Sequence, residues 1–237
     1  MNQKNPWWGG GEYRLGGNPS PHVTGLGRAF LAKHHQAGKL VADLGVWEGR
    51  NLPELISLGQ RVAATDTPEA RDVLKKTGDR FRNVSFHEAH LDSLPFENEE
   101  VGAALCWRVL HNLTSSTQII AALKEINRIL VIGSPLLVAV RSEHQRDFWA
   151  SRAVFLRRCS NGNGGIREDL YFTKGAVRFI AELLGFRVEG LFEDVEGGEE
   201  IDGRVVHNHY LVGHLIKVAK PRPAHQDAAE RLIIRTF

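Results

Sequence analysis

The stretch VADLGVWEGRN, residues 41–51, decides the fold. A short apolar run ends at the acid Asp43, and Gly45 and Gly49 follow before helical spacing begins at Leu52. Such a turn lets backbone N–H groups and a helix N-terminus face a ligand in the crevice beyond the strand ends of an open α/β sheet. Residues 41–51 therefore predict a strand–turn–helix unit with a binding site at its turn.

Short apolar runs and helical stretches alternate along the rest of the chain, which is typical of βαβ units and a parallel sheet. An acidic, glycine-rich link at 193–203 joins the last two runs and contains no helical pattern, which indicates an antiparallel hairpin. We predict a single doubly wound, Rossmann-like α/β domain with a mostly parallel seven-stranded sheet and an antiparallel terminal hairpin. The predicted strands are 40–44, 62–65, 84–86, 101–107, 136–140, 186–191 and 205–218, and the predicted helices are 24–35, 52–58, 68–76, 116–130, 145–157 and 174–184.

The two ends of the chain differ from this pattern. Residues 1–22 carry Trp8 and Tyr13 among glycines and prolines, and adjacent tryptophans are unfavourable in a freely solvated tail. We predict an aromatic N-terminal arm or lid over 1–22, which either plugs a gap on the domain surface or covers a ligand. The binding domain follows over 23–218, and a C-terminal tail over 219–237.

Composition excludes several classes of protein. The chain has 237 residues with 42% apolar and 24% charged side chains, so a sizeable core is expected. Its 30 Lys and Arg nearly balance its 28 Asp and Glu, which gives no electrostatic case for nucleic acid or membrane as a partner. The two cysteines lie outside any CxxC pair, which argues against a disulfide framework. His207 and His209 share a strand face but lack a third ligand, so no metal is expected. No signal peptide or spanning segment is recognised, and we predict a cytoplasmic protein.

Three acids follow three successive predicted strands. Asp43, Asp66 and Asp92 then lie at one edge of the sheet, because the carboxyl ends of parallel strands meet there. A carboxylate at Asp66 is placed to accept hydrogen bonds from a ribose diol, and Asp92 is placed to receive an adenine amino group. The three acids predict a nucleoside site.

Together these features resemble the class I S-adenosylmethionine (SAM) dependent methyltransferases, from about Leu40 to Val218. Residues 43–49 are similar to the family's acid-x-Gly-x-Gly-x-Gly turn, except that Trp47 replaces the middle glycine, and the G-x-G-x-x-G fingerprint of NAD sites is absent. Either the Trp47 ring turns away from the cofactor or the pocket is reshaped. The resemblance implies SAM as cofactor and the following cofactor-binding residues: Asp43, Gly45, Trp47, Gly49, Asp66, Thr67, Leu91, Asp92, Cys106, Trp107, Trp8, Tyr13 and Arg14.

The segment after the fourth strand, CWRVLHN at 106–112, lacks the Asn/Asp-Pro-Pro-aromatic tetrapeptide of enzymes that methylate base amino groups. It looks more like small-molecule methyltransferases, where a Val-Leu-His run follows this strand. His111 is either a general base with a pKa near working pH or a polar residue packed at the start of a helix. Cys106 is expected to be a small core residue, and Trp107 either stacks on the ligand or caps its strand.

Three functions remain open from the sequence. The leading one is SAM-dependent methyl transfer to a small molecule, with His111, Tyr171 and Asn112 as candidate catalytic residues. The second is cyclisation of SAM alone into azetidine-2-carboxylate and methylthioadenosine, because chains similar to azetidine-2-carboxylate synthases keep this fold, and Trp47 and the aromatic arm would suit an enclosed site. The third is a SAM-binding sensor or adaptor without catalysis.

Overall fold

A computed structural model of the chain describes residues 19–113, 115–142, 144, 154–160, 166–201 and 204–221. The predicted arm residues Trp8, Tyr13 and Arg14 and most of the predicted tail lie outside these residues. The strands are β1 Leu40–Leu44, β2 Val62–Asp66, β3 Val84–Glu88, β4 Val101–Trp107, β5 Pro135–Arg141, β6 Val154–Ser160, β7 Ile166–Phe172, β8 Phe186–Ile201 and β9 Arg204–Lys217.

The α-helices lie between these strands, as the alternating pattern predicts. They are α1 Arg28–His34, α2 Leu52–Ile56, α3 Arg71–Arg80, α4 Ser116–Ile129 and α5 Lys174–Leu183. A π-helical turn, Val23–Gly27, leads into α1, and short 3₁₀ helices span Pro68–Ala70 and Leu110–Asn112.

The main sheet has seven strands in the order β3-β2-β1-β4-β5-β9-β8. Strands β1 to β5 are parallel, and β9 is antiparallel to both β5 and β8. The doubly wound α/β fold with an antiparallel terminal hairpin is therefore confirmed. Strand order reverses between β1 and β4, and a crevice at such a reversal is where open α/β sheets bind ligands.

Helices cover both faces of this sheet, which is why its central strands read as continuous apolar runs. Residues of α1, α2 and α3, such as Phe30, Leu52 and Leu74, pack on one face. Residues of α4 and α5, such as Ile126 and Ile180, pack on the other. Alternate residues of each strand enter the two layers, so the sheet is fixed in register and its carboxyl edge is left for the site.

The prediction of a helix over 145–157 is wrong for its last part. Val154 to Arg157 belong to β6, which pairs antiparallel with β7 in a separate two-stranded sheet, and 145–153 lie outside the described residues. The glycine-rich residues 161–165 lie between the two strands in the sequence. The backbone hydrogen bonds that β6 forms with β7 outweigh the helical spacing of its apolar residues.

The prediction that residues 193–203 form only a link is also wrong. Strand β8 continues to Ile201, and its pairing with β9 runs from Phe186 opposite Lys217 to Ile201 opposite Arg204. Glu and Gly are poor strand formers, but main-chain pairing with the apolar β9 overrides that preference. The register shifts between Glu196 and Gly198, so a bulge bends this long hairpin.

Two smaller details concern helix ends. The helix predicted over 24–35 begins earlier: helical geometry already holds at His22, and the Thr24 hydroxyl donates to the Pro21 carbonyl. The helix after β7 ends as predicted, before Gly185, and Thr173 caps its start by accepting a hydrogen bond from the Ala176 N–H at 3.0 Å.

Candidate functional site

The turn after β1 has the backbone path that its glycines require. Gly45 has φ +84°, and a Cβ there would lie 2.3 Å from Cγ2 of Val109. The N–H groups of Gly45 and Val46 both donate to the Thr65 carbonyl, at 2.8 and 3.0 Å. Glycine at position 45 thus allows the segment after β4 to cross directly over the turn after β1.

Trp47 takes the left-handed backbone conformation that glycine would take, with φ +46°. Its N–H donates to Oδ2 of Asp66 at 2.8 Å, and its carbonyl accepts from Oγ1 of Thr77 at 3.1 Å. A non-glycine residue in this region is strained, and these two hydrogen bonds hold it there. The turn therefore keeps the shape of the glycine motif with a half-buried indole attached.

Asp66 ends β2 and joins the turn after β1 to the start of the next helix. Its Oδ1 accepts from the Thr67 N–H at 2.8 Å while Oδ2 accepts from Trp47. Burial raises the pKa of Asp66, and these two N–H groups act in the opposite direction. Each carboxylate oxygen has a second lone pair, so Asp66 can still accept a ligand hydroxyl.

Asp43 is the buried acid of the site. Burial, with a smaller contribution from the neighbouring Asp66, raises the pKa of its carboxyl to about 7 against the opposing charge of Arg50. A carboxyl group in this state gains from a bound cation, because the cation stabilises its charged form.

The residues predicted on the adenine side lie in different environments. Cys106 is buried, and burial together with the charge of Asp43 raises its thiol pKa, so Cys106 is a core residue with a protonated thiol, as predicted. Leu91 is buried in the same apolar layer, whereas Asp92 is exposed. The role of Asp92 toward an adenine amino group stays a prediction.

The three candidate catalytic residues also differ in exposure. His111 is fully buried in the 3₁₀ helix Leu110–Asn112, with its ring centroid 6.1 Å from that of Tyr210. Asn112 is exposed, and its side chain donates to the Arg108 carbonyl at 3.1 Å. Tyr171 is buried near the end of β7, a strand that lies against this 3₁₀ helix. The structure brings these elements together beside β4 and β5, and their catalytic roles stay predictions.

The sequence did not point to Glu196, which joins four segments of the chain at the carboxyl edge. Its carboxylate accepts from Oγ of Ser20 at 2.6 Å and from Nε1 of Trp107 at 3.3 Å. It also forms ion pairs with Arg108 at 2.9 Å and with Arg50 at 3.2 Å. Burial opposes ionisation of Glu196, but the two guanidinium groups outweigh it and hold its pKa below the usual value. Glu196 is therefore ionised at neutral pH.

Arg108 follows β4 directly and is held in a fixed position. Its backbone has φ +66°, and its N–H donates to the Ala139 carbonyl at 3.0 Å. Its guanidinium lies over the ring of Tyr210, 4.5 Å from the centroid, which is a cation–π contact. Tyr210 is fully buried, and within the described part of the chain its hydroxyl has no hydrogen-bond partner.

Two histidines and an acid lie on the same side of the sheet. Nε2 of His22 and Nε2 of His214 are 2.9 Å apart, so one of them donates and the other accepts. Burial lowers the pKa of His22, and the negative charge of Asp194 acts in the opposite direction. Burial, together with the nearby His22, lowers the pKa of His214 to about 4. Asp194 lies opposite Tyr210 in the β8–β9 register, and burial raises its pKa.

These residues were missed because their partners are distant in sequence. Arg50 lies in the turn segment 41–51 and Arg108 directly follows β4, so charged residues within the two motif segments were an available signal. Glu196 and Asp194 carried none, since they lie in the stretch that was predicted to be a link.

Other possible sites are weaker. An apolar cavity of about 30 Å³ lies on the opposite face of the sheet, between Leu110, Val138 and Ile180, and has room for only about two water molecules. Over the described ranges, no three His, Cys, Asp or Glu side chains are gathered as a metal site. No helix in the same ranges is long and apolar enough to cross a membrane.

The site region coincides with a known family model. Residues 42–138 match the model described as a methyltransferase domain. This range contains the turn after β1, the acids Asp43 and Asp66 and the segment after β4. Among curated proteins, none matches the chain.

Solved structures with the same fold include several methyltransferases. A SAM-dependent methyltransferase from Methanosarcina mazei has a TM-score of 0.61 at 16% identity, covering 79% of this chain and 96% of its own. The Burkholderia thailandensis 1,6-didemethyltoxoflavin-N1-methyltransferase, solved with 1,6-didemethyltoxoflavin and S-adenosylhomocysteine, has a TM-score of 0.55 at 20% identity, covering 83% and 79%. The CcbJ methyltransferase from Streptomyces caelestis has a TM-score of 0.59 at 15% identity, covering 88% and 94%. At these identities the likeness shows the fold.

Proposed function

We propose that this chain is a class I SAM-dependent methyltransferase and that it transfers the methyl group of SAM to a small-molecule acceptor. The observation that carries the proposal is the meeting of Asp43 and Asp66 at the turn after β1, where the strand order reverses. SAM is the cofactor, and it supplies a methyl group on a cationic sulfur.

The acids Asp43 and Asp66 fit the chemistry of this cofactor. Asp66 retains acceptor capacity for a ribose diol after binding the N–H groups of Trp47 and Thr67. Asp43, with a pKa of about 7, is stabilised as a carboxylate by a positive charge nearby. The crossing of Val109 over Gly45 closes the base of the crevice. These residues orient the cofactor and exclude water from it, which is most of what methyl transfer requires.

A small acceptor is supported by the groups that surround the crevice. Buried or half-buried polar groups line the β5–β9–β8 side: Asp194, Tyr210, His22 and Arg108. The Tyr210 hydroxyl and Oδ2 of Asp194 are buried without hydrogen-bond partners over the described ranges. Buried polar atoms in this state favour a ligand that can hydrogen bond to them. One of the similar structures, the Burkholderia thailandensis N1-methyltransferase, contains the small molecule 1,6-didemethyltoxoflavin.

A general base is needed only if the acceptor must lose a proton. Asp194 is one candidate, because burial raises its pKa and His22 is close enough to influence its charge. The predicted candidates His111, Tyr171 and Asn112 lie around the 3₁₀ helix on the same edge of the sheet.

The experiment is to incubate the purified protein with SAM, first alone and then with pools of small amines, phenols and carboxylic acids, and to identify products by mass spectrometry. The proposal expects S-adenosylhomocysteine and a singly methylated acceptor, with little turnover of SAM alone. Methylthioadenosine with a cyclic amino acid, formed from SAM alone above the uncatalysed background, would replace methyl transfer by cyclisation. Tight SAM binding with no product from any pool would favour the sensor.

A further inference from the structure

Glu196 lies in the crevice where a ligand is expected. Arg50 follows the turn after β1 and Arg108 follows β4, and these are the two strands between which the order reverses. Glu196 comes from β8, at the far edge of the sheet, and forms ion pairs with both arginines. The β8–β9 hairpin thus carries an internal carboxylate into the ligand crevice.

The donors around Glu196 form a built carboxylate site. Its side chain is 10% exposed and interacts with two guanidinium groups, a hydroxyl and an indole N–H. Arg50 approaches Oε2 with both terminal nitrogens, at 3.3 and 3.2 Å. Guanidinium groups are well suited to carboxylates, because their N–H donors match the spacing of two oxygens.

Arg108 is fixed by the scaffold, whereas Glu196 is brought by a bulged hairpin. Arg108 is held by the Tyr210 ring and by its own backbone hydrogen bond to Ala139. The register of β8 shifts right after Glu196, before Gly198. Release of Glu196 therefore leaves the Arg108 guanidinium in place for another carboxylate.

We propose that Arg50 and Arg108 form a binding site for the carboxylate of a small molecule, and that Glu196 occupies this site until such a ligand displaces it. The inference rests on the proposed function. The ligand carboxylate has two possible sources, the amino-acid end of SAM or an acidic acceptor. In either case Glu196 lowers the affinity for the ligand by competing with it, and so sets the concentration at which the crevice fills.

The test compares two ligands that differ by one carboxylate, SAM and decarboxylated SAM, by isothermal titration calorimetry on the full chain. If the source is SAM, Glu196→Gln tightens SAM binding by about tenfold and changes decarboxylated SAM less than twofold, because a charge-assisted hydrogen bond no longer has to be exchanged. Arg108→Gln weakens SAM by a similar factor and leaves decarboxylated SAM unchanged. Glu193→Gln is the matched control, since Glu193 lies on the same strand and is exposed.

A second arm identifies an acidic acceptor as the source. Succinate is titrated into the complex with S-adenosylhomocysteine. Tighter succinate binding by Glu196→Gln, with SAM and decarboxylated SAM unchanged, assigns the site to the acceptor. If Glu196→Gln tightens neither SAM nor succinate, or shifts SAM and decarboxylated SAM equally, the inference is overturned. Binding of no nucleoside by the wild type and every variant would instead refute the proposed function, and the inference with it.

A measurement on the unmodified protein covers the case in which a variant does not fold. The Trp107 indole N–H donates to Glu196, so its NMR resonance reports whether Glu196 is in place. The resonance is assigned by its loss in Trp107→Phe. It should shift on addition of the carboxylate-bearing ligand and stay in place with decarboxylated SAM. A resonance that responds identically to both nucleosides and is unmoved by succinate contradicts the exchange.

Discussion

Replacing Asp43 by Asn tests whether the Asp43 carboxyl has a raised pKa in the ligand-free protein and whether its negative charge stabilises a bound cation. Burial and the nearby Asp66 together raise the pKa of this carboxyl from 3.8 to about 7. Asparagine keeps the shape of the side chain and removes the titration. We expect Asp43→Asn to stabilise the ligand-free protein at neutral and higher pH, and to weaken SAM binding because the compensating negative charge is gone.

The magnitude follows from linkage between proton binding and folding. Because the folded-state pKa is raised, the contribution of Asp43 to stability is complete below pH 3.8 and is lost as the pH rises to about 7. Each unit of pKa shift corresponds to about 1.4 kcal/mol, so the full loss is about 4 kcal/mol. About 3 kcal/mol of it falls between pH 5 and pH 8. The Asp43→Asn variant does not lose this stability as the pH rises, because asparagine does not titrate.

The assay is urea unfolding of wild type and Asp43→Asn at pH 5 and pH 8, without ligand. The stability of the variant relative to wild type should rise by about 3 kcal/mol between the two pH values. Asp72→Asn on α3 is the control, because Asp72 is exposed and its replacement should give the same difference at both pH values. A stability difference for Asp43→Asn that does not change with pH would refute the reasoning.

Three further predictions concern the turn after β1, the loop after β3 and the histidine pair. Gly45→Ala should destabilise the protein by more than about 2 kcal/mol and abolish SAM binding, because the added Cβ meets Cγ2 of Val109 at 2.3 Å. Gly59→Ala is the control: Gly59 also has a positive φ, +73°, but open space around it, so this variant should lose only the about 1 kcal/mol that the backbone conformation costs. Equal losses of stability for the two variants in thermal unfolding would contradict the steric argument. Arg128→Lys should cost about 1–2 kcal/mol in urea unfolding, because lysine cannot replace the guanidinium bonds to Glu125 and to the Leu94 and Phe96 carbonyls; an unchanged midpoint would show that these bonds contribute nothing. His214→Phe should lose less stability than wild type on acidification. The lowered pKa of His214 makes its contribution to stability complete above about pH 6.5 and lost as the pH falls toward 4. Parallel profiles of stability against pH for the variant and wild type would exclude this role.

The central fold could be predicted because its signals are local. Strands β1, β2, β4 and β5 are buried on both faces, so each reads as a short apolar run whatever its neighbours are. The acids Asp43 and Asp66 end two such runs, and parallel pairing of β1 with β2 brings them to one edge without further information. The turn after β1 and its two acids were therefore predictable from about 25 consecutive residues.

The carboxylate site could not be predicted in this way, because its partners meet only through the register of the terminal hairpin. Glu196 is 146 residues from Arg50 and 88 from Arg108. Its position depends on the pairing of β8 with β9 and on a bulge, and the sequence of β8 beyond Leu191 has the composition of a loop. The same reliance on pairing explains why β6 was predicted as the end of a helix.

Equilibrium binding of SAM tests the central claim most directly. The wild type should bind one SAM per chain, and Asp66→Ala should bind it about 5- to 150-fold more weakly, which corresponds to about 1–3 kcal/mol for the lost ribose hydrogen bonds. Glu88→Ala is the matched control, because Glu88 ends the neighbouring strand β3 and its carboxylate pairs with Arg71 on the surface. Affinity should fall for Asp66→Ala and stay at the wild-type value for Glu88→Ala. A wild type that binds no SAM, or an Asp66→Ala protein with unchanged affinity, would contradict the account.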